Sequence, residues 1–246
     1  MVSVLGVQFT DMGEADVATA CARFMADDTP HIVVTAGPEF VMRARADEAL
    51  RAMLAQADLV TPDGIGIVVA SRWYGQPLRE RVTGVELTER LLAIADDHGW
   101  RVYLLGATPQ SCAAAMVNVR ERFPKLQLEG RHGYFSGPET DDVLAEIRAF
   151  DPHLLLVGLG QPRQERFLFE HRERLRVPLS MGVGGTIDIL SGHVRRAPGV
   201  FRRAHVEWLY RLLAQPTRAA RQLALPRFAL AAWRDARRMR RARGVI

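Results

Sequence analysis

The run Thr61-Pro62-Asp63-Gly64-Ile65-Gly66 places a carboxylate directly after a short apolar stretch, among glycines that let another chain or a ligand approach closely. Asp63 is a candidate general base. The competing reading is a turn or helix-capping aspartate, a common role for Asp before Gly. Two Gly-rich runs also follow apolar stretches. Gly158-Leu159-Gly160-Gln161-Pro162-Arg163-Gln164-Glu165 suits a phosphate or sugar cradle, and Gly182-Val183-Gly184-Gly185-Thr186-Ile187-Asp188 repeats the arrangement with a hydroxyl and a carboxylate added. Loops of this kind offer backbone N–H groups without side-chain obstruction, which an anion such as a diphosphate requires. Each could equally be a plain tight turn.

Several patterns are missing, and their absence narrows the chemistry. Arg163 stands where the third glycine of a GxGxxG dinucleotide fingerprint would fall, and neither Gly-Lys-Ser/Thr nor Gly-x-Ser-x-Gly occurs. The seven histidines form no His-Glu-x-x-His and no paired-ligand spacing. Cys21 and Cys112 are too far apart for a Cys-x-x-Cys site, and a reducing cytoplasm suits them. No Asp-x-Asp occurs, so a nucleotide-sugar enzyme of this sequence would lack the familiar metal-holding pair, and arginine would be the residue to neutralise a departing diphosphate.

The elements that would position these residues alternate in type. Val2 to Val7, His31 to Thr35, Leu59 to Thr61, Arg101 to Leu105, Leu154 to Val157 and Leu179 to Val183 read as strands. Pro38 to Ala57, Val85 to His98, Pro109 to Phe123, Thr140 to Phe150 and Arg163 to Leu175 have helical apolar spacing. Strands apolar on both faces, such as Leu154-Leu155-Leu156-Val157, are those covered by helices on both sides. The expected fold is α/β: a Rossmann-like, mostly parallel sheet with helices on both faces and a C-terminal helical, basic appendage. Ligands of such sheets bind beyond the carboxyl ends of the strands, where all three runs above fall.

Residues 195–246 carry fourteen arginines against Glu207 and Asp235, a net charge of +12 within a chain of net +5, so residues 1–194 carry −7. We therefore divide the chain into a catalytic body, 1–194, and an Arg-rich appendage, 195–246. A basic tail on an acidic body implies an anionic partner: nucleic acid, an anionic lipid surface or a phosphorylated substrate. At ~100° per residue, Arg211, Arg218 and Arg221 share an arc of ~80°, unless Pro216 breaks the helix. Farther on, Phe228, Leu230 and Trp233 interleave with Arg227, Arg234, Arg237, Arg238, Arg240 and Arg241, the composition of an interfacial helix. The apolar N-terminus lacks a basic leader and reads as a strand rather than a signal peptide. No stretch reaches the ~18 apolar residues of a membrane span.

In combination these motifs become specific. Thr35 with Pro38-Glu39-Phe40, TPDGIG, Glu80-Arg81-Val82-Thr83-Gly84, Leu104-Leu105-Gly106, GLGQPRQE, GVGGTID, Arg196-Ala197-Pro198 and Glu207-Trp208-Leu209-Tyr210-Arg211-Leu212 occur in one order. The chain thereby resembles the WecG/TagA/CpsF family of bacterial glycosyltransferases over roughly residues 30 to 221.

The resemblance implies a metal-independent, inverting transfer of a sugar, commonly N-acetylmannosamine, from a UDP-sugar donor to a polyprenyl-diphosphate-linked acceptor in cell-envelope polysaccharide synthesis. It implies work at the cytoplasmic membrane face, with no cofactor. By position, the family's base matches Asp63, and neighbouring site residues match Thr35, Arg81 and Gln164. Gly37, Gly106, Gly158, Gly160, Gly184, Gly185, Thr186 and Asp188 line the expected substrate cleft. Arg211, Arg218 and Arg221 match arginines of an appendage that closes over the pocket at the membrane. One departure is informative: Thr35-Ala36-Gly37 stands where many members have Thr-x-Asn, which leaves the identity of the transferred sugar open. Gly106-Ala107 replaces a Gly pair.

The expected partners are the UDP-sugar, the lipid-linked acceptor and an anionic membrane surface, without nucleic acid; self-association stays open. Two rivals are a nucleotide-dependent oxidoreductase on a similar sheet and a nucleic-acid binder using the arginine tail. The missing dinucleotide fingerprint weighs against the first and the acidic body against the second.

Overall fold

The computed structural model describes residues 1–194, 196–199, 201 and 224–242. Six parallel strands form the central sheet in the order β4-β3-β8-β7-β5-β6: β3 (His31–Ala36), β4 (Leu59–Pro62), β5 (Arg101–Gly106), β6 (Gln127–Arg131), β7 (Leu154–Gly158) and β8 (Leu179–Gly182). The register aligns their carboxyl ends. Thr35 lies opposite Thr61, Val34 and Val157 each lie opposite Gly182, and Gly106 lies opposite Gly158.

Alternation along β3 sends Ile32, Val34 and Ala36 into one core and Val33 into the other. The first core is closed by α2 (Pro38–Ala46), α3 (Glu48–Leu54), α4 (Ile65–Trp73), α7 (Thr140–Phe150), α8 (Arg163–Leu175) and a C-terminal helix (Ala224–Ala242). The second is closed by α1 (Glu14–Met25), α5 (Gly84–His98), α6 (Pro109–Arg122) and α9 (Thr186–Leu190). Neighbouring strands β3 and β8 therefore lead into helices on opposite faces, as do β7 and β5. Such reversals open crevices at the carboxyl edge of a parallel sheet.

Local chemistry explains the helix ends. Thr83 caps α5 by accepting from the Glu86 N–H at 3.2 Å, and Gly99, at φ +65°, stops it in the left-handed region. Thr108 caps α6 ahead of Pro109.

Several expectations need correction. The first strand is a hairpin, β1 (Val2–Val4) and β2 (Val7–Phe9), turning at Leu5 and Gly6, both at positive φ, and it forms a separate two-stranded sheet. The helix expected over Pro38 to Ala57 is broken at Asp47, which leaves the helical region (φ −125°, ψ 104°) and caps α3 through the Leu50 N–H. Strand β6 and helices α1 and α4 escaped the strand and helix assignments. β6 is an edge strand with little apolar alternation, and α4 is a nearly continuous apolar run that period alone does not resolve.

Candidate active site

Asp63 follows β4 directly and does not cap α4: the N-cap is Gly64, at φ +136°, and it makes no side-chain cap bond. Instead, Asp63 Oδ2 accepts the N–H of Gly84, the first residue of α5, at 3.3 Å. The helix-capping reading of Asp63 fails for its own helix, and its carboxylate is tied to an element of the opposite layer. Thr35, buried at the end of β3, lies on the same spot. A Cβ on Gly84 would be 3.2 Å from Thr35 Oγ1 and 3.7 Å from Asp63 Oδ2. Gly37 is required by close approach as well, because a Cβ there would be 2.8 Å from the Asp63 carbonyl oxygen. The structure thus gathers Thr35, Gly37 and Asp63 around the start of α5.

The β7–α8 loop ties this corner to β8. Gln161 Nε2 donates to the Thr35 carbonyl at 3.1 Å, and Arg43 of α2 donates to the Gln161 carbonyl at 2.9 Å. Thr35 Oγ1 donates to the Gly182 carbonyl at 3.4 Å. Gln164 is 1% exposed, and both ends of its carboxamide are engaged: Oε1 accepts the Gly184 N–H at 3.0 Å, and Nε2 donates to Glu165 Oε1 at 2.8 Å. The Gly184 amide, expected to face an anion, is bonded to Gln164. Burial pushes the Glu165 carboxyl up to about 7, against the hydrogen bond from Gln164 and the charge of Arg43.

The glycines divide into two kinds. A Cβ on Gly106 would be 2.5 Å from the Gly158 carbonyl oxygen, and one on Gly158 would be 2.8 Å from that of Gly184. Close packing accounts for both, strand against strand at Gly106 and strand end against the β8–α9 turn at Gly158. Gly160 (φ +79°) and Gly184 (φ +53°) adopt left-handed backbone and face open space, which leaves room for a ligand. Gly185 precedes α9, whose first residue Thr186 is buried with its hydroxyl donating to the Val183 carbonyl at 2.7 Å. Asp188 lies one turn into α9, partly exposed, with its Oδ2 4.0 Å from where a Gly185 Cβ would be.

Arg81 stands on the β4–α5 side of the site. Its guanidinium lies 3.6 Å from Glu86, which also takes a 2.6 Å ion pair from Arg196 and a 2.7 Å bond from the Thr83 hydroxyl. Burial opposes ionisation of Glu86, yet Thr83, Arg196 and Arg81 together hold its carboxyl below the ordinary value. Arg211, Arg218 and Arg221, with the arc expected of them, lie outside the described residues.

The C-terminal helix turns Phe228, Ala232 and Ala236 into the first core, and the Tyr74 hydroxyl donates to Asp235 at 2.9 Å. Phe228, expected on an interfacial face, is therefore a core residue. Leu230 and Trp233 remain exposed on the outer side, with Arg237 stacked 4.7 Å from the Trp233 ring centroid. Among the described residues, no helix is long and apolar enough to cross a membrane.

Sequence reasoning named Thr35, Gly37 and Asp63 but missed what joins them. Glu165 and Arg196 stood only inside longer motifs and Glu86 went unnamed; the burial of Glu165 and the pairing of Arg196 with Glu86 appear only in the fold. A carboxylate beside a buried hydroxyl, at the carboxyl edge of a parallel sheet, with a Gly-rich turn close by, is the kind of candidate site that α/β enzymes carry at their strand ends. The family description "Glycosyl transferase WecG/TagA/CpsF family" matches residues 2–242, and the chain belongs to that family. It is a glycosyltransferase. Among its relatives are proteins of Staphylococcus aureus strains NCTC 8325 / PS 47, COL and MRSA252, each named N-acetylglucosaminyldiphosphoundecaprenol N-acetyl-beta-D-mannosaminyltransferase. Each is 33% identical over 244 residues, covering 98% of this chain and 96% of the relative. The match extends well beyond the 30 to 221 region in which the motifs lie, and it decides against the oxidoreductase and nucleic-acid readings.

Proposed function

We propose that this glycosyltransferase moves N-acetylmannosamine, or a closely related hexose, from a UDP-sugar to a polyprenyl-diphosphate-linked sugar, with inversion and without a metal. The relatives' shared name supports the sugar and the acceptor. The observation that carries the mechanism is the Asp63 carboxylate, beside Thr35 and oriented by the first amide of α5. Asp63 takes the proton of the acceptor hydroxyl as that oxygen attacks the anomeric carbon, and UDP departs from the opposite face. A single displacement with one base inverts the centre.

Charge on the departing diphosphate is met by Arg81, held in place by Glu86, and by Arg211, Arg218 and Arg221 of the tail. Thr35 and Gln164 orient rather than transfer protons. The absence of Asp-x-Asp from the sequence supports arginine in the place of a cation. Attachment is peripheral, at the inner membrane face, through the outer side of the C-terminal helix, where Leu230 and Trp233 lie among arginines.

Incubation with a panel of UDP-sugars and a short-chain prenyl-diphosphate sugar, followed by mass spectrometry, tests the reading. One N-acetylhexosamine or hexose residue added to the acceptor in the presence of a chelator is expected. No addition from any UDP-sugar would refute the donor, and loss of addition with the chelator would refute metal independence.

A further inference from the structure

Glu165 sits in the first turn of α8 with 0% of its surface exposed. Its Oε1 accepts from Gln164 Nε2, and its Oε2 has no hydrogen-bond partner among the described residues. An acid in a helix's first turn serves the macrodipole equally well at the surface. Burying one carries a desolvation cost that a surface position avoids, so the burial must serve the contact that the carboxyl makes.

That contact fixes a carboxamide. Gln164 has a donor end and an acceptor end, which a half-turn about its last bond exchanges. With Nε2 on Glu165, Oε1 is left facing the Gly184 N–H, which it accepts. In the reversed orientation an NH2 group would meet the Gly184 N–H, a repulsive encounter at any pH, and with the carboxyl ionised two oxygens would also meet at Glu165. Glu165 thereby decides which way Gln164 points, and Gln164 holds the Gly184 amide. Gly182 makes room for the pair, since a Cβ there would be 2.6 Å from Gln164 Nε2 and 3.2 Å from Glu165 Oε1.

We infer that Glu165 is a positioning residue, acting through the Gln164 carboxamide on the Gly184 amide to set the shape of the Gly184-Gly185 turn that receives the donor's diphosphate. The last step rests on the donor reading proposed above; the linkage from Glu165 to Gly184 does not.

Two measurements on the full-length protein keep these apart: amide hydrogen exchange across residues 182–188 without ligand, and calorimetric titration with uridine diphosphate. Glu165→Gln can still present a carbonyl oxygen to Gln164, so uridine diphosphate affinity should stay within about twofold of wild type and exchange at Gly184 should be no faster. Glu165→Leu offers no acceptor. It should speed exchange at Gly184 and weaken uridine diphosphate about tenfold, the value of one hydrogen bond. The donor KM should rise with kcat and acceptor KM little changed.

Gly182→Ala attacks the same link from β8 with Glu165 intact, should give the same pattern, and carries the test if Glu165→Leu does not fold. Unchanged exchange at Gly184 in these variants, or damage from Glu165→Gln equal to that from Glu165→Leu, overturns the inference. Faster exchange in a protein whose wild type does not bind uridine diphosphate leaves the linkage standing and overturns the donor reading.

Discussion

Replacing Glu165 by glutamine should make stability less sensitive to pH in a calculable way. In the folded chain burial raises this carboxyl from its ordinary value of 4.5 to about 7. Between those values the folded state holds a proton that the unfolded state has released, so folding loses stability as pH rises through the window. Below 4.5 both states are protonated and the cost vanishes; above 7 it is complete. A shift of this size corresponds to about 3 kcal/mol.

Glutamine keeps the shape and cannot ionise. Relative to wild type, Glu165→Gln should therefore gain about 3 kcal/mol between pH 4.5 and pH 8, or roughly 6–12 °C in melting temperature. Asp27, Asp47, Glu139 and Asp141, whose carboxyls are held below their ordinary values, contribute with the opposite sign in acid. They are common to both proteins and cancel in the difference. Urea unfolding of the two proteins at pH 4.5, 6 and 8 measures it. A stability difference that is flat with pH would show that Glu165 titrates alike in the folded and unfolded chain, and the burial argument would be wrong.

Asp63→Asn should bind uridine diphosphate as wild type does yet lose roughly 10²–10⁴-fold in kcat, as expected for removal of a general base; near-normal turnover in a coupled assay would reassign the base. Gly37→Ala puts a methyl 2.8 Å from the Asp63 carbonyl oxygen, so thermal melts should show a loss of about 1–3 kcal/mol, with kcat falling as Asp63 is displaced. Wild-type melting and turnover would mean that the β4–α4 turn yields freely. Replacing Arg234, Arg237, Arg238 and Arg241 together by alanine should cut affinity for anionic vesicles roughly a thousandfold at low salt, at ~1 kcal/mol per arginine. Sedimentation unchanged by the substitutions would move the membrane contact elsewhere.

Much of the layout is written locally. Apolar runs such as Leu154–Val157 announce strands covered on both sides, Pro109 after Thr108 announces a helix start, and the order of the Gly-rich runs places the site at the strand ends. Asp63 stood out for the same reason, as a carboxylate where a parallel sheet presents its ligands. These signals depend on spacing over a few residues, which the chain carries in any conformation. The break at Asp47 and the turn at Leu5-Gly6 are local too, but weak helical and strand patterns run straight through them.

The rest arises from encounters between distant segments. Gly84 meets Asp63 and Thr35 only because the carboxyl ends of β3 and β4 are brought together beside the start of α5, and Phe228 is a core residue only because its helix docks on α2 and α4. Glu165 looks in the sequence like an ordinary first-turn acid; the fold alone removes its water and gives it Gln164 to hold. Desolvation and cross-strand contact are properties of the packed chain, so no window of residues contains them.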